Sequence, residues 1–416
     1  MGNTVELVTI GDELLLGFTV DTNSAVLGRA LASHGVSVAR RTAVGDDIPA
    51  IVAAIREALD RTGAVITTGG LGPTTDDVTR DAIAEAFDAP LELDETHLEW
   101  MRERWRRRFS RDMPAANRRQ ALLPRGARKL ENRHGSAPGA FLRDAAGRWL
   151  VMLPGVPREL RGMTDDALVP LLRELGCGEG SCIRSRTLRT TGIPESLLQE
   201  QLRDLPIAAP GFSLAYLPGI DGVDLRLTAR GATAVDADAV AAEVAEAIRT
   251  RVPEGIYGED DADIAAVLLA QCRATGATIA VAESCTGGLL GARLTDIPGS
   301  SDVFLGGVIA YANAVKIREL GVPADILGRH GAVSEEVVRA MAVGARARFG
   351  STMGLAITGV AGPGGGTPDK PVGTVWVCVA TPDHVEARLL QSWGDRREVR
   401  HRSAQAAMDL ARRILG

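Results

Sequence analysis

At three places in this 416-residue chain a short apolar run stops at a polar turn carrying glycines: residues 64–68 before GGLGPTTDD, residues 279–282 before ESCTGG, and residues 354–358 before GVAGPGGG. Runs of this length and β-branched content read as buried strands. Glycine allows both a tight turn and a close approach of peptide N–H groups to a ligand. Such junctions point to layered α/β architecture, in which ligands bind beyond the carboxyl ends of the strands. The strings TGGLGP from Thr68 and TGVAGP from Thr358 look alike with no wider repeat around them, so a shared phosphate cradle explains them better than duplication.

Around these junctions strands and helices alternate. Strands at 5–10, 36–44 and 64–68 with helices at 21–34, 48–61 and 78–87 predict a parallel sheet. A stretch at 170–184, with Gly176, Gly178 and Gly180, interrupts the apolar periodicity and marks a boundary. Then a strand at 185–191, a helix opened at 193–196, strands at 211–217 and 223–229 and a helix at 236–251 make a small α+β layer. The acidic segment 256–261 reads as a link. A helix from Ile264, strands at 279–282, 303–311, 354–358, 373–380 and 385–393 and a final helix at 396–415 complete the chain. The expected fold class is α/β in three domains, 1–170, 171–256 and 257–416, the middle one α+β.

Net charge of −6 argues against a general nucleic-acid binder. No apolar run approaches the ~18 residues of a membrane span, so a cytoplasmic protein without membrane partners is expected. The five cysteines and six histidines are scattered, with no CxxC or HExxH string. Zinc fingers and disulfide frameworks are thereby excluded, and any metal is expected on carboxylates, which favours a hard ion such as magnesium.

In the first junction Gly70, Gly72 and Thr74 offer peptide and hydroxyl donors to a phosphate, while Asp76 and Asp77 at the same point would repel it. A divalent ion between carboxylates and phosphate resolves that conflict; helix capping by either aspartate fits the spacing as well. The arginine-rich stretch 95–113, with Trp100, Trp105 and Phe109, reads as a solvated helix face whose aromatic stripe packs inward. In the second junction Ser284 stands at a strand end, exposed, either as a nucleophile or as a helix cap. A serine works without histidine when a lysine of lowered pKa takes its proton. Lys316 is the candidate base and Tyr311 the candidate relay, although a surface lysine and a packing tyrosine fit equally on residue type. Strand alternation turns the competing thiol of Cys285 away, into the core.

In these strings the chain resembles the CinA (competence/damage-inducible) family. GDELLLGFTVDTN from Gly11, TGGLGPTTDD from Thr68, NRHGSAPG from Asn132 and LPGVPRE from Leu153 resemble its MoaB/MogA-like molybdopterin-binding front domain. The middle resembles its KH-like module, without the Gly-x-x-Gly loop of an RNA binder, and reads as a spacer or dimer arm. AESCTGG from Ala282, GGVIAYANAVK from Gly306, GAVSEE from Gly331 and TGVAGPGGGTPDKPVGTV from Thr358 resemble its nicotinamide mononucleotide deamidase domain, with Ala312 and Ala314 where relatives often carry polar residues. The resemblance implies two activities: hydrolysis of nicotinamide mononucleotide to nicotinate mononucleotide and ammonia without a cofactor, and metal-dependent hydrolysis of ADP-ribose in front. It implies Ser284, Lys316 and Tyr311 as catalytic residues. Glu283, Thr286, Gly287, Gly288, Asn313, Thr358, Gly359 and Gly362 are implied to contact the substrate. In front it implies Gly70, Gly72 and Thr74 on the pyrophosphate, and Asp76 and Asp77 on magnesium. A homodimer is expected. The competing expectations are a non-catalytic competence- or DNA-damage-associated binding protein, and a deamidase with a pterin-binding or inactive front domain.

Overall fold

The structure is a computed structural model describing residues 3–178, 180, 182–205, 211–231 and 233–416. Residues 179 and 181, inside the expected boundary at 170–184, lie outside the described residues. Two compact units are present, Met1–Arg184 with Ala229–Ala239, and Ser185–Thr228 with Val240–Gly416.

The first unit is built on a six-stranded sheet of order β2-β1-β3-β8-β7-β6. Its strands are β1 (Thr4–Ile10), β2 (Ser37–Val44), β3 (Ala64–Thr68), β6 (Arg128–Leu130), β7 (Gly139–Arg143) and β8 (Trp149–Leu153); β4 (Leu91–Leu93) and β5 (Leu122–Pro124) form a separate ribbon. The three strands expected to run parallel do so, and the sheet they belong to is extended into a mixed one. β1, β2, β3 and β8 run parallel, and β7 pairs antiparallel with both β8 and β6. The short turn between β7 and β8 leaves no room for the crossover that a parallel pair requires. β3 is buried along its whole length, with Ile66 in the core on one face and Val65 in the core on the other, as a two-faced central strand demands.

The helix Glu95–Phe109 departs from expectation. Its buried side chains are His97, Leu98 and Met101; of the expected aromatic stripe Trp105 is half-buried, while Trp100 and Phe109 are 39% and 44% exposed and do not pack inward. Residues 100 and 109 fall off the 98/101 face, and arginine covers them instead. The Arg104 guanidinium lies 5.1 Å from the Trp100 ring centre, and that of Arg108 5.3 Å from Phe109.

The middle sheet has order β10-β11-β9-β12, from β9 (Cys182–Thr190), β10 (Phe212–Pro218), β11 (Val223–Gly231) and β12 (Ile256–Glu259). Here the segment expected as a link is a strand. Ile256 pairs with Thr190 and Glu259 with Leu188, and Tyr257 is buried. Its acidic residues had masked two apolar ones that the sheet needed.

The last sheet has order β14-β13-β15-β16-β17, with β13 (Ile279–Glu283), β14 (Phe304–Ile309), β15 (Met353–Gly359), β16 (Thr374–Ala380) and β17 (Val385–Gln391). β13 is parallel to both β14 and β15 and is fully buried, so its carboxyl end opens between two parallel neighbours. Side chains of the helices Ile264–Thr275, Leu289–Thr295 and Arg396–Leu415 build one core, and those of Asn313–Leu320 and Glu335–Phe349 build another. Among the described residues no helix is long and apolar enough to cross a membrane.

Candidate active sites

In the last module the turn after β13 is held by Glu283. Its carboxylate, 1% exposed, accepts hydrogen bonds from the amides of Gly288 (3.0 Å), Leu290 (3.0 Å) and Gly291 (2.8 Å). The expected role of Glu283 in binding substrate is corrected on this ground, because the buried carboxylate is committed to the loop. Gly287 and Gly288 adopt φ of 58° and 95°, the left-handed region open to glycine. Their amides are also spent, Gly287 on the Ser284 carbonyl at 3.1 Å and Gly288 on Glu283, so neither is free for an oxyanion. Thr286 differs. Its hydroxyl is buried without a partner, its carbonyl is held by Arg400 at 2.6 Å, and among the described residues its amide, like that of Cys285, has no hydrogen bond. We expect Glu283→Gln to lower stability by about 2–4 kcal/mol, since an amide N–H₂ replaces an acceptor facing buried donors; a urea titration measures it.

Ser284 is 9% exposed, more buried than its place at a strand end suggested, because helices cover both faces of the sheet. Lys316 is 1% exposed. Its Nζ lies 3.0 Å from Ser284 Oγ and donates to the carbonyls of Ala310 (2.6 Å) and Tyr311 (3.4 Å). A neutral lysine has two N–H bonds and one lone pair. With the two carbonyls taking the N–H bonds, the lone pair faces the serine. Burial depresses the Lys316 pKa below that of a free lysine, the direction a base requires.

The structure does not bring the Tyr311 hydroxyl to this pair. Tyr311 is 61% exposed and its hydroxyl accepts from Arg396 at 3.1 Å, so its contribution to Lys316 is the carbonyl oxygen. Cys285 lies in the core, where burial pushes its thiol up to about 11, and almost no thiolate forms at neutral pH. Cys285→Ala is therefore expected to keep turnover at this serine within about threefold of wild type in an assay of released ammonia. Asn313 is exposed at the start of its helix. Thr358 is buried and its hydroxyl donates to the Ala332 carbonyl at 2.7 Å, so it packs the strand end and presents no hydroxyl to a ligand. Gly359 ends β15, and the Gly362 carbonyl accepts from Arg396 at 2.7 Å.

Sequence reasoning missed Arg396 and Arg400. Together they hold the Gly362 loop and the Thr286 carbonyl and place positive charge beside the serine. A signal existed: arginines crowd the first turns of the helix Arg396–Leu415, where the helix dipole disfavours cations.

In the first unit the loop after β3 borders a cavity of about 460 Å³. Gly69 and Gly70 have φ of 109° and 61°, and a side chain at either would collide with the Ile10 carbonyl or Thr79. The expected metal role of Asp77 is corrected: its carboxylate accepts from the amides of Gly72 (2.7 Å) and Thr74 (2.8 Å) and from the Thr74 hydroxyl, which ties the loop. Thr74 is thus engaged as well. Asp76 borders the cavity with Glu13, Asp21, Asp46, Asp77 and Glu159, and the lining contains no lysine, arginine or histidine. Burial raises the Asp46 pKa, assisted by the charges of Asp12, Glu13 and Asp76. No group of three or more metal-ligating side chains occurs among the described residues.

The fold and sites define a chain with a molybdopterin-binding-type front module, a KH-type middle module and a back module carrying a buried serine–lysine pair. Family models agree: a probable molybdopterin binding domain matches residues 6–174, a damage-inducible protein CinA KH domain 185–258, and a CinA C-terminal domain 261–415. A CinA-like protein of Gemmatimonas aurantiaca is 56% identical over 409 residues, covering 98% of this chain and 96% of the relative. Another from Salinibacter ruber is 47% identical over 412 residues, covering 99% of each. A solved structure of the competence/damage inducible protein CihA from Agrobacterium tumefaciens is 36% identical, covering 35% of this chain and 90% of that one, with TM-score 0.35. The chain belongs to the CinA family.

Proposed function

We propose that the back module hydrolyses the carboxamide of nicotinamide mononucleotide, and that the front module hydrolyses the pyrophosphate of ADP-ribose with a divalent ion. The observation that carries the first reading is the Lys316 amine, buried and 3.0 Å from Ser284 Oγ; the family resemblance supplies the substrate. Lys316 takes the Ser284 proton as Oγ bonds to the amide carbon. The carbonyl electron pair moves to oxygen, where the amides of Cys285 and Thr286 are the available donors. Collapse expels ammonia, which takes its proton from the Lys316 ammonium. Water then attacks the acyl-serine, with Lys316 again accepting the proton and returning it to Oγ. Positioned acid/base catalysis contributes about 10²–10⁴-fold and each oxyanion donor about 10²-fold or more. Arg396 and Arg400 supply the positive potential that a nucleotide phosphate needs.

The front reading rests on a cavity lined by six carboxylates and no cation. A pyrophosphate enters such a cavity only when a cation offsets the charge. Asp76 and Asp46 would hold a magnesium ion, with phosphate and water oxygens completing its shell. Held by these carboxylates, a divalent ion would supply charge neutralisation for the pyrophosphate and its leaving group. Ammonia release from nicotinamide mononucleotide, and AMP formation from ADP-ribose with magnesium, test the two halves on the full chain. Absence of either product from wild type refutes that half.

A further inference from the structure

We propose that Glu159 is the general base that activates water in the front cavity; the assignment rests on the hydrolytic reading of that cavity. Glu159 stands in the first turn of the helix Pro157–Met163 and borders the cavity together with the glycine loop after β3. The two segments are docked on each other. Thr68 donates its hydroxyl to the Pro154 carbonyl at 3.0 Å, Asn23 donates its side-chain amide to the Gly155 carbonyl at 2.6 Å, and a Cβ on Gly155 would stand 3.0 Å from Gly69 Cα.

The carboxylate of Glu159 has a fitted seat. Asn132 Nδ2 donates to Glu159 Oε2 at 2.7 Å. Asn132 is itself buried and oriented, since it also donates to the Ala137 carbonyl at 2.8 Å and accepts from the His134 amide at 2.9 Å. Any side chain at position 135 would run into the Glu159 carboxyl, so Gly135 leaves the space the seat needs. Among the described residues Oε1 has no hydrogen bond and no cation pairs with Glu159. Of the five other carboxylates of the lining three are tied to the backbone, Asp76 is the proposed metal ligand, and Glu13, which no side chain holds among the described residues, has no comparable seat. Asp21 caps a helix through the Ser24 amide at 2.9 Å, Asp77 ties the glycine loop, and Asp46 accepts from the Asp12 amide at 3.0 Å. A held carboxylate with one oxygen free of hydrogen bonds, on a residue that borders a phosphate-sized cavity, has the chemistry and position of a base.

In the step, Oε1 takes one proton from water while the water oxygen bonds to a phosphorus of the pyrophosphate. The bridging P–O bond breaks and its electron pair stays on the departing phosphate oxygen. The second water proton ionises from the new phosphate monoester, and Glu159 returns its proton to solvent.

Glu159→Gln in the full chain, assayed with ADP-ribose and magnesium, separates base from scaffold, because glutamine still accepts from Asn132. The expected result is a kcat lowered about 10²–10⁴-fold with KM within threefold of wild type. A kcat within threefold, or a loss expressed only in KM, overturns the assignment while leaving the hydrolytic reading intact; a wild type that forms no AMP overturns both. Should Glu159→Gln melt far below wild type, Glu159→Ala with added formate decides. Restoration of turnover at least tenfold supports the base, and its absence overturns it.

Discussion

Lys316→Met is expected to cut ammonia release from nicotinamide mononucleotide by roughly 10⁴-fold, with Ser284→Ala losing a similar factor and the double variant little more. The two groups act as a unit, so their losses do not add. Methionine keeps the length and apolar stem of the lysine and fills the same buried space, so the expected loss of stability is limited to about 1–3 kcal/mol for the Ala310 and Tyr311 carbonyls left without their donor. A folded but inactive Lys316→Met therefore separates chemistry from scaffold. The pH dependence follows from the same burial. The folded pKa of Lys316 lies below its unfolded value, so the neutral fraction grows as pH rises through the folded pKa, and kcat/KM should climb with it. Below that pKa the ammonium has no lone pair for the serine proton. Stability moves in the same direction: between the folded pKa and the ordinary value of about 10.4 the unfolded chain binds more protons, so the folded state gains as pH rises. Rates of ammonia release from pH 6 to 10 test this. A flat profile, or a Lys316→Met variant that keeps a tenth of the activity, removes lysine from the base role.

Chelation of divalent ions is expected to abolish AMP formation from ADP-ribose by about 10²-fold or more and to leave ammonia release unchanged. The asymmetry arises because the front cavity has carboxylates without cations, whereas the serine site has a lysine and two arginines. Asp76→Ala should reproduce the loss and raise the magnesium concentration needed for half-maximal rate. Asp77→Ala should behave differently. It leaves the Gly72 and Thr74 amides without their acceptor, so KM for ADP-ribose rises and added magnesium does not restore the rate. Titrating each variant with magnesium distinguishes ligand from loop anchor. Equal recovery in both would return Asp77 to the metal.

These tests also divide what was legible in the residues from what was not. The strand-to-loop junctions at Thr68 and Glu283 were legible because an apolar run that stops at glycines has few structural solutions, and the glycines at 69, 70, 287 and 288 all take left-handed φ. The pairing of Ser284 with Lys316 was legible as chemistry, but their separation of 32 residues has no meaning until β13 and β14 lie side by side. Roles that depend on direction were not legible. The carboxylate of Glu283 turns into its own loop, and Tyr311 gives Lys316 a carbonyl while its hydroxyl goes to Arg396. Residue type states what a side chain can donate or accept, and only the fold states to whom.

The order of modules, the glycine loops and the pool of reactive groups were determined by the sequence alone, since they follow from local periodicity and spacing, and the family was legible through the resemblance of the motif strings. Tertiary structure decided which groups are spent and which are free. It buried Lys316 beside Ser284, committed Asp77 and Glu283 to their loops, brought Arg396 and Arg400 back to the Ser284 turn from more than a hundred residues away, and seated Glu159 on Asn132. Those outcomes rest on contacts between segments remote along the chain, and burial and hydrogen-bond satisfaction are properties of such contacts rather than of any residue by itself.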